Sequence, residues 1–347
     1  MDGVTPHARR TRSRRLLVAA LLIGSAGLAG CGGGDDGTAL PDGVAEESVS
    51  GALDTWPLTG LPVEDGTSVR RQPVLVVKID NTSSSEPQRG LDGADLVVEE
   101  LVEGGITRLA AFFYSGARPG VVGPVRSVRA TDLGVAGPAD GVLVTSGGAP
   151  VTLRRLAEGG IDLVTEGSPG FARDAGRSAP YNLMVDLDEA GAALRGDAVR
   201  PPDYLDFGSV EDLPGGRPAV GVDARFSAAH TTSFSYDAAS EQYVDTDSHA
   251  AADEQFPADS VLVLRVRTRD AGYKDPAGNP VPETVLDGRG RGTLLHGGRA
   301  VPLRWSKAGL DAPVYLESDG TRVDVPAGRT WIALVPRDGG DVTLTRR

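Results

Sequence analysis

The chain has 347 residues, with 48 acidic against 35 basic side chains, 47 glycines, 24 prolines and one cysteine. A hydrophobic content of 40% supplies a core and excludes a wholly disordered protein, and the length sets two domains as the default. The lone cysteine excludes an intramolecular disulfide and any Cys-rich metal cluster, and the net charge of −13 argues against nucleic acid as a partner.

Arg9, Arg10, Arg12, Arg14 and Arg15 open the chain and an apolar stretch runs from Leu16 to Ala29. A basic start, a short apolar run and small residues at its end make a secretory signal, too short for a comfortable membrane span. Leu28-Ala29-Gly30-Cys31 resembles the bacterial lipobox, in which the cysteine sulfur takes a diacylglycerol and the chain is cut before it. The expectation is a signal peptide over 1–30 and a lipid anchor on Cys31, holding the protein at the outer face of the cytoplasmic membrane. Ser13-Arg14-Arg15-Leu16-Leu17 partly resembles a twin-arginine signal, so both export routes stay open. Residues 31–56 carry six carboxylates, no basic residue and a Gly32-Gly33-Gly34 run, and read as a flexible acidic tether spanning about 25–30 Å. With five arginines and one aspartate in 1–30, this leaves residues 57–347 at a net −11.

From Pro57 to about Gly196 strands and helices alternate. Val74 to Asp80 is a β-branched run and predicts a buried strand. Asp95 to Val102 and Ile106 to Tyr114 predict two strands of a hairpin, joined by Glu103-Gly104-Gly105. A helix is expected over Arg126 to Val135, entered through Gly123-Pro124. A strand over Gly141 to Thr145, a helix over Ala149 to Ala157 with Pro150 near its start, a strand over Ile161 to Thr165 and a helix over Leu187 to Leu194 follow. Interleaved strands and helices with a hairpin imply a layered α/β domain on a mixed sheet, spanning 57–200.

Around Arg200-Pro201-Pro202 the pattern changes, and 201–222 reads as a linker. Beyond it, strands are expected over Thr231 to Tyr236, Glu241 to Asp245, Ser260 to Arg269, Gly292 to Leu295, Val301 to Trp305, Val314 to Glu317 and Trp331 to Val335. Gly297-Gly298, Asp319-Gly320 and Ala327-Gly328 punctuate them as turns. The fold class is therefore α/β (α+β), the layered N-terminal domain being followed by a smaller β-rich domain over 223–338.

Lys78 and Asp80 lie two apart in a strand and share a face, as an ion pair or as the rim of a site. Glu99, Glu100 and Glu103 crowd one strand and its turn, with Arg108 across the hairpin as a partner for one of them. Carboxylates so placed admit a glycosidase reading, with Asp80, Glu99 or Glu103 as acid and base, although solvated turn carboxylates are far commoner. On the expected helix Arg126 and Arg129 fall on one face in the first turn, against the helix dipole, so a carboxylate or an anionic ligand should compensate them. A second polar loop runs from Arg173 to Asn182 and includes Arg177. No Walker loop, Gly-x-Ser-x-Gly elbow or dinucleotide fingerprint occurs, and His230, His249 and His296 lack metal-ligand spacing. Asp245-Thr246-Asp247 starts like a calcium loop, but Ala250 and Phe256 stand where glycine and glutamate are needed. No cofactor and no metal are expected.

Pro57-Leu58-Thr59-Gly60-Leu61-Pro62, Ile79-Asp80-Asn81 and Val102 to Arg108 are followed by Gly123-Pro124-Val125-Arg126-Ser127, Gly147-Gly148 and Ala179 to Leu183. With Trp305 and Gly328-Arg329-Thr330-Trp331-Ile332, this series resembles the YerB-like family of bacterial lipoproteins over roughly Pro57 to Pro336. The resemblance implies an α/β first domain, a distinct second domain and an extracytoplasmic lipoprotein, and implies no reaction. The chain departs from the family pattern at Tyr181 and Val98, where histidine and an aromatic residue are common.

Three readings follow. The first is a non-enzymatic envelope lipoprotein that binds a ligand or partner through Asp80, Asn81, Glu103, Arg108, Arg126, Arg129, Arg177 and Asn182. The second is a cell-wall glycan or peptide hydrolase using Asp80, Glu99 or Glu103. The third is a tethered scaffold whose charges form internal ion pairs. The expected partners are the membrane, through the lipid anchor, and an envelope ligand or protein of unknown identity.

Overall fold

The computed structural model describes residues 55–64, 72–192, 194 and 200–346. The signal, the lipobox with Cys31 and the tether up to residue 54 lie outside the described residues.

The first half supplies β1 (Leu75–Asn81), β2 (Leu96–Leu101), β3 (Thr107–Phe113), α1 (Asp132–Ala136), β4 (Val142–Thr145), α2 (Pro150–Glu158), β5 (Leu163–Thr165), β6 (Phe171–Arg173), β7 (Leu183–Val185) and α3 (Leu187–Ala192). Next come β8 (Phe207–Gly208), β9 (Arg217–Pro218), β10 (Gly221–Arg225), β11 (Thr231–Asp237) and β12 (Gln242–Asp245). The long strands β13 (Ser260–Lys274), β14 (Pro280–Val285), β15 (Gly288–His296) and β16 (Arg299–Lys307) follow. The chain closes with β17 (Tyr315–Ser318), β18 (Thr321–Arg322), β19 (Val325–Pro326), β20 (Thr330–Pro336) and β21 (Asp341–Thr345).

One mixed sheet of 13 strands runs through both halves in the order β18-β17-β16-β15-β13-β20-β2-β3-β1-β4-β5, with β14 on β13 and β9 on β16. Its seam is β20, parallel to β13 on one side and to β2 on the other. Thr330 to Pro336 is buried at every position, as a strand covered on both faces must be. The α/β half and the β-rich half thus share one hydrogen-bonded sheet. Residues 201–222, expected as a linker, lie along this body: Tyr204 donates its hydroxyl to the Val135 carbonyl at 3.0 Å, and Leu205 and Ala219 are buried.

Alternation along the strands divides the core in two. Val74, Val76, Val98, Ala110 and Phe112 point to the face covered by α1 and α2, through Val135, Ala136 and Leu156. Leu75, Val77, Val97, Leu109 and Ala111 point to the opposite face. There the antiparallel sheet β12-β11-β10-β21 packs with Val222, Phe234 and Tyr243 around Trp331. The hairpin turn follows the sequence, with Gly104 and Gly105 at φ of 75° and 77°, which side chains with a Cβ resist.

The helix expected over Arg126 to Val135 is corrected. Only Asp132 to Ala136 are helical, because the backbone of residues 124–128 is claimed by strands. Asp80 and Arg126 exchange N–H groups with the carbonyls of Pro124 and Lys78 at 3.0 and 2.8 Å, and Ser146 donates to the Arg126 carbonyl at 3.1 Å. The segment wedges between β1 and β4 where that parallel pair stops at Val77 and Val144.

Candidate functional site

β1, β2, β4 and β5 end, and β3 begins, along one edge of the sheet, the position where α/β folds place ligands. The wedge brings Ser127 and Arg129 to this edge, and the register sets Asp80, Arg108 and Glu100 side by side on the helix-covered face. Arg126 and Arg129 do not share a helical face, since the segment between them is extended and sends them to different partners.

Charges on this face are neutralised internally. Lys78 Nζ donates to Glu100 Oε1 at 2.7 Å and Asp132 Oδ1 at 2.6 Å, with all three side chains at most 1% exposed. Burial holds Glu100 above the usual carboxylate range even though Lys78 pulls the other way. Two carboxylates on one ammonium in a dry site leave an excess negative charge, which favours the protonated form of Glu100. Asp132 also accepts the Arg129 N–H at 2.7 Å, which ties the start of α1 to the wedge. Arg129 forks onto Glu103 through Nε to Oε2 at 2.7 Å and through Nη2 to Oε1. Burial raises the Glu103 carboxyl, but Arg129 and Arg108 outweigh it and hold it below its usual range. Arg108 donates to the Ser127 carbonyl at 2.7 Å and lies 3.6 Å from Glu103. Burial, reinforced by Arg129, pushes its guanidinium down to about 10. Asp80 takes Arg126 at 3.0 Å and the Thr82 N–H at 3.0 Å, while Arg126 also reaches the Pro180 carbonyl at 3.2 Å and covers the Tyr181 ring at 5.1 Å. The carboxylate partners expected for the two arginines are therefore Asp80 and Glu103.

Asn81 and Glu99 face the other way. Glu99 is fully buried and accepts from Thr107 Oγ1 at 2.8 Å, Thr232 Oγ1 at 2.7 Å, Asn81 Nδ2 at 3.2 Å and Trp331 Nε1 at 3.2 Å. His230 Nε2 stands 3.1 Å from the same oxygen that Thr107, Thr232 and Asn81 reach. Burial opposes a charge on this imidazole, but Glu99 prevails and raises it above its ordinary range. Burial pushes nearby Asp245 up to about 7. Glu99 and Asp80 thus lie on opposite faces of the sheet, each at most 1% exposed, and do not flank a common cleft.

Arg177 and Asn182 stay in their loop. Arg177 pairs with Asp174 at 3.0 Å and braces the Ser85 and Pro87 carbonyls at 2.9 and 2.5 Å, and Asn182 accepts from Arg173 at 2.6 Å. Of the eight residues read as one polar face, Asp80, Glu103, Arg108, Arg126 and Arg129 come together, while Asn81, Arg177 and Asn182 serve other surroundings.

Beside Arg129 opens a cleft of about 450 Å³, walled by Ser127, Arg129 and residues 148–150 on one side and by residues 273–276 of the β13–β14 hairpin on the other. The Tyr273 hydroxyl lies 3.0 Å from Thr152 Oγ1, and Glu283 of β14 takes Arg155 of α2 in a fork at 2.8 and 2.9 Å, so the hairpin is fastened to the first half. Burial opposes the charge on Glu283, yet Arg155 and Arg269 push it down to about 2. The first turn of α2 faces the cleft from Ala149, which makes no side-chain cap. Tyr273 and His230 escape a reading of the sequence because their partners Thr152 and Glu99 lie far along the chain, and Lys274 because the opposite wall of its cleft does; no local motif marks them. Among the described residues no group of three His, Cys, Asp or Glu side chains could hold a metal ion, and no helix is long and apolar enough to cross a membrane.

Comparison with known proteins agrees with this architecture. Residues 58–200 match the family model described as the N-terminal domain of a protein of unknown function, DUF3048, and residues 222–332 match its C-terminal domain. The chain is 27% identical over 290 residues to "Putative lipoprotein YerB" of Bacillus subtilis, covering 81% of this chain and 86% of that protein. The crystal structure of Bacillus subtilis YerB superposes with a TM-score of 0.69 at 24% identity, covering 83% of this chain and 99% of that one, and so has the same fold. Two domain models in order, a curated relative and a solved fold all agree: the chain belongs to the YerB-like family built from the DUF3048 N- and C-terminal domains.

Proposed function

We propose that this protein is a non-enzymatic lipoprotein of the cell envelope, anchored through Cys31 outside the cytoplasmic membrane, that binds a ligand in the cleft beside Arg129. The observation that carries the reading is the placement of family-signature residues. Ser127 and Gly148, from two separate signature segments, meet at a cleft whose other wall comes from the second half of the chain. With Arg129 held by Glu103, Lys274 and the uncapped first turn of α2 favour a ligand with an anionic group, against the one carboxylate of the wall, Asp275. The anchor is supported by the lipobox pattern at Leu28 to Cys31 and by the lipoprotein name of the relative.

A hydrolase built on Asp80 and Glu99 lacks support in the geometry, since two carboxylates acting on one bond must flank it about 5–9.5 Å apart. The scaffold reading is favoured by the internal pairing of Lys78, Arg126 and Arg129. Small molecules co-purifying with the full chain from envelope extract, compared with an Ala149→Trp variant that fills the cleft, separate the two. Loss of a bound species in the variant is the expected outcome, and identical eluates would establish the scaffold. Replacing Cys31 by serine should move the full chain from the membrane fraction to the soluble one; retention in the membrane would refute the anchor.

A further inference from the structure

The second half of the sheet handles charge in the opposite way. Arg291 of β15 stands directly opposite Arg304 of β16 in the register, and Glu317 of β17, a wall residue of the same groove, stands directly opposite Arg304 on its other side. Leu264 of β13 pairs with Gly292, so Arg265 falls one step along, beside Arg291. Arginines therefore occupy neighbouring positions on three adjacent strands. With Arg289 and Arg337 they line a groove of about 810 Å³. Among the described residues only Arg265 of these five meets a carboxylate, Asp341 at 3.8 Å.

Like charges directly opposite each other on a sheet are destabilising, so folding alone does not account for this row. On a folded part with a net charge of −11, five arginines against the single carboxylate of Glu317 in one groove are also a local reversal of sign. The sheet behind the row is closed from the face that Gly290 and Trp305 share. Arg337 crosses over Gly290 and donates to the Arg265 and Arg289 carbonyls, and a Cβ at Gly290 would come within 2.8 Å of its guanidinium. That Cβ would also lie 2.4 Å from Trp305 Nε1, which itself donates to the Arg265 carbonyl at 3.2 Å. Arg265 Nε is buried without a hydrogen-bond partner.

We infer that this arginine groove binds a phosphate-bearing linear polymer of the cell envelope. Guanidinium groups present forked donors that match phosphate oxygens, and a row across adjacent strands, about 5 Å apart, suits a chain of repeated anions better than one ion. A flat anionic membrane is the poorer occupant, because the site is recessed and the acidic body around it is repelled from such a surface. The groove shares no wall residue with the cleft beside Arg129, so it is independent of the ligand proposed there, while the choice of an envelope polymer rests on the anchoring proposed above.

The test is titration of the full chain, in non-ionic detergent, with linear polyphosphate, with orthophosphate and with phosphatidylglycerol vesicles, at about 50 and about 200 mM salt. Polyphosphate should bind, weaken by about tenfold or more at the higher salt, and outcompete orthophosphate at equal phosphate concentration. The double variant Arg291→Gln, Arg304→Gln should lose about tenfold or more of that affinity with an unchanged or raised Tm, which separates lost binding from lost folding. Absence of polyphosphate binding, equal affinity in the double variant, or orthophosphate competing on equal terms would overturn the proposal. Vesicles binding as tightly through the same arginines would replace the polymer with a membrane.

Discussion

At the edge where β1, β2 and β4 end, Arg108, Arg126 and Arg129 each meet a carboxylate, whereas on β13, β15 and β16 arginines face one another. The difference follows from solvent. The first group is largely buried, and an unpaired charge in a dry interior costs several kcal/mol, so each arginine there is matched within the fold. The second lies in an open groove where water and salt screen the repulsion, so a mismatch costs little. A buried charge must be satisfied by the protein itself; an exposed row of one sign is free to be satisfied by something else.

The contrast breaks most readily at Lys78. Lys78→Met leaves Asp132 without its cation and should cost about 3–5 kcal/mol in urea unfolding of the full chain. Glu100→Gln, at a carboxyl that burial holds above its ordinary range, should cost less than about 1.5 kcal/mol. Equal losses would mean that Glu100 is ionised and the buried site is balanced differently.

A smaller effect is expected where α2 is fastened to β14. Glu283 is pushed down to about 2, so its contribution is fully present above the ordinary carboxylate range and is lost as pH falls toward that value. Both arginine partners are partly exposed, which reduces the amount to about 1–2 kcal/mol. Arg155→Met should flatten the acid limb of the stability profile between about pH 4.5 and 2, and an unchanged limb would assign it to other carboxylates. The smallest effect belongs to the groove. Arg304→Gln should leave Tm unchanged or raise stability by a few tenths of a kcal/mol, and a loss above about 1 kcal/mol would show that the arginine row is structural after all.

Legibility in the sequence tracked how local the cause was. Strands β1, β2 and β3 and helix α2 were expected within one or two residues, because their alternation, Gly104-Gly105 and Pro150 act over a few positions. The segment from Arg126 to Arg129 was read as helical because nothing nearby reveals that Lys78, Asp80 and Ser146 claim its backbone. Nothing near Glu99 in the chain shows that it is buried, since the groups that enclose it include His230 and Thr232, more than 130 residues away. Arg289 and Arg291 carry no local motif, and Arg265, Arg304 and Arg337 are brought to them only by strand register.

By itself the sequence determined the family, through the alternation of elements and the ordered signature segments that mark it. These are written in short stretches, since recognition motifs and secondary-structure periodicity depend on neighbours along the chain. The tertiary structure alone decided which charges cancel and which do not. It did so through β20, which joins the two halves into one sheet. Pairing across that sheet is set by register between distant strands, and Coulomb interactions depend on distance in space and on burial rather than on position in the chain.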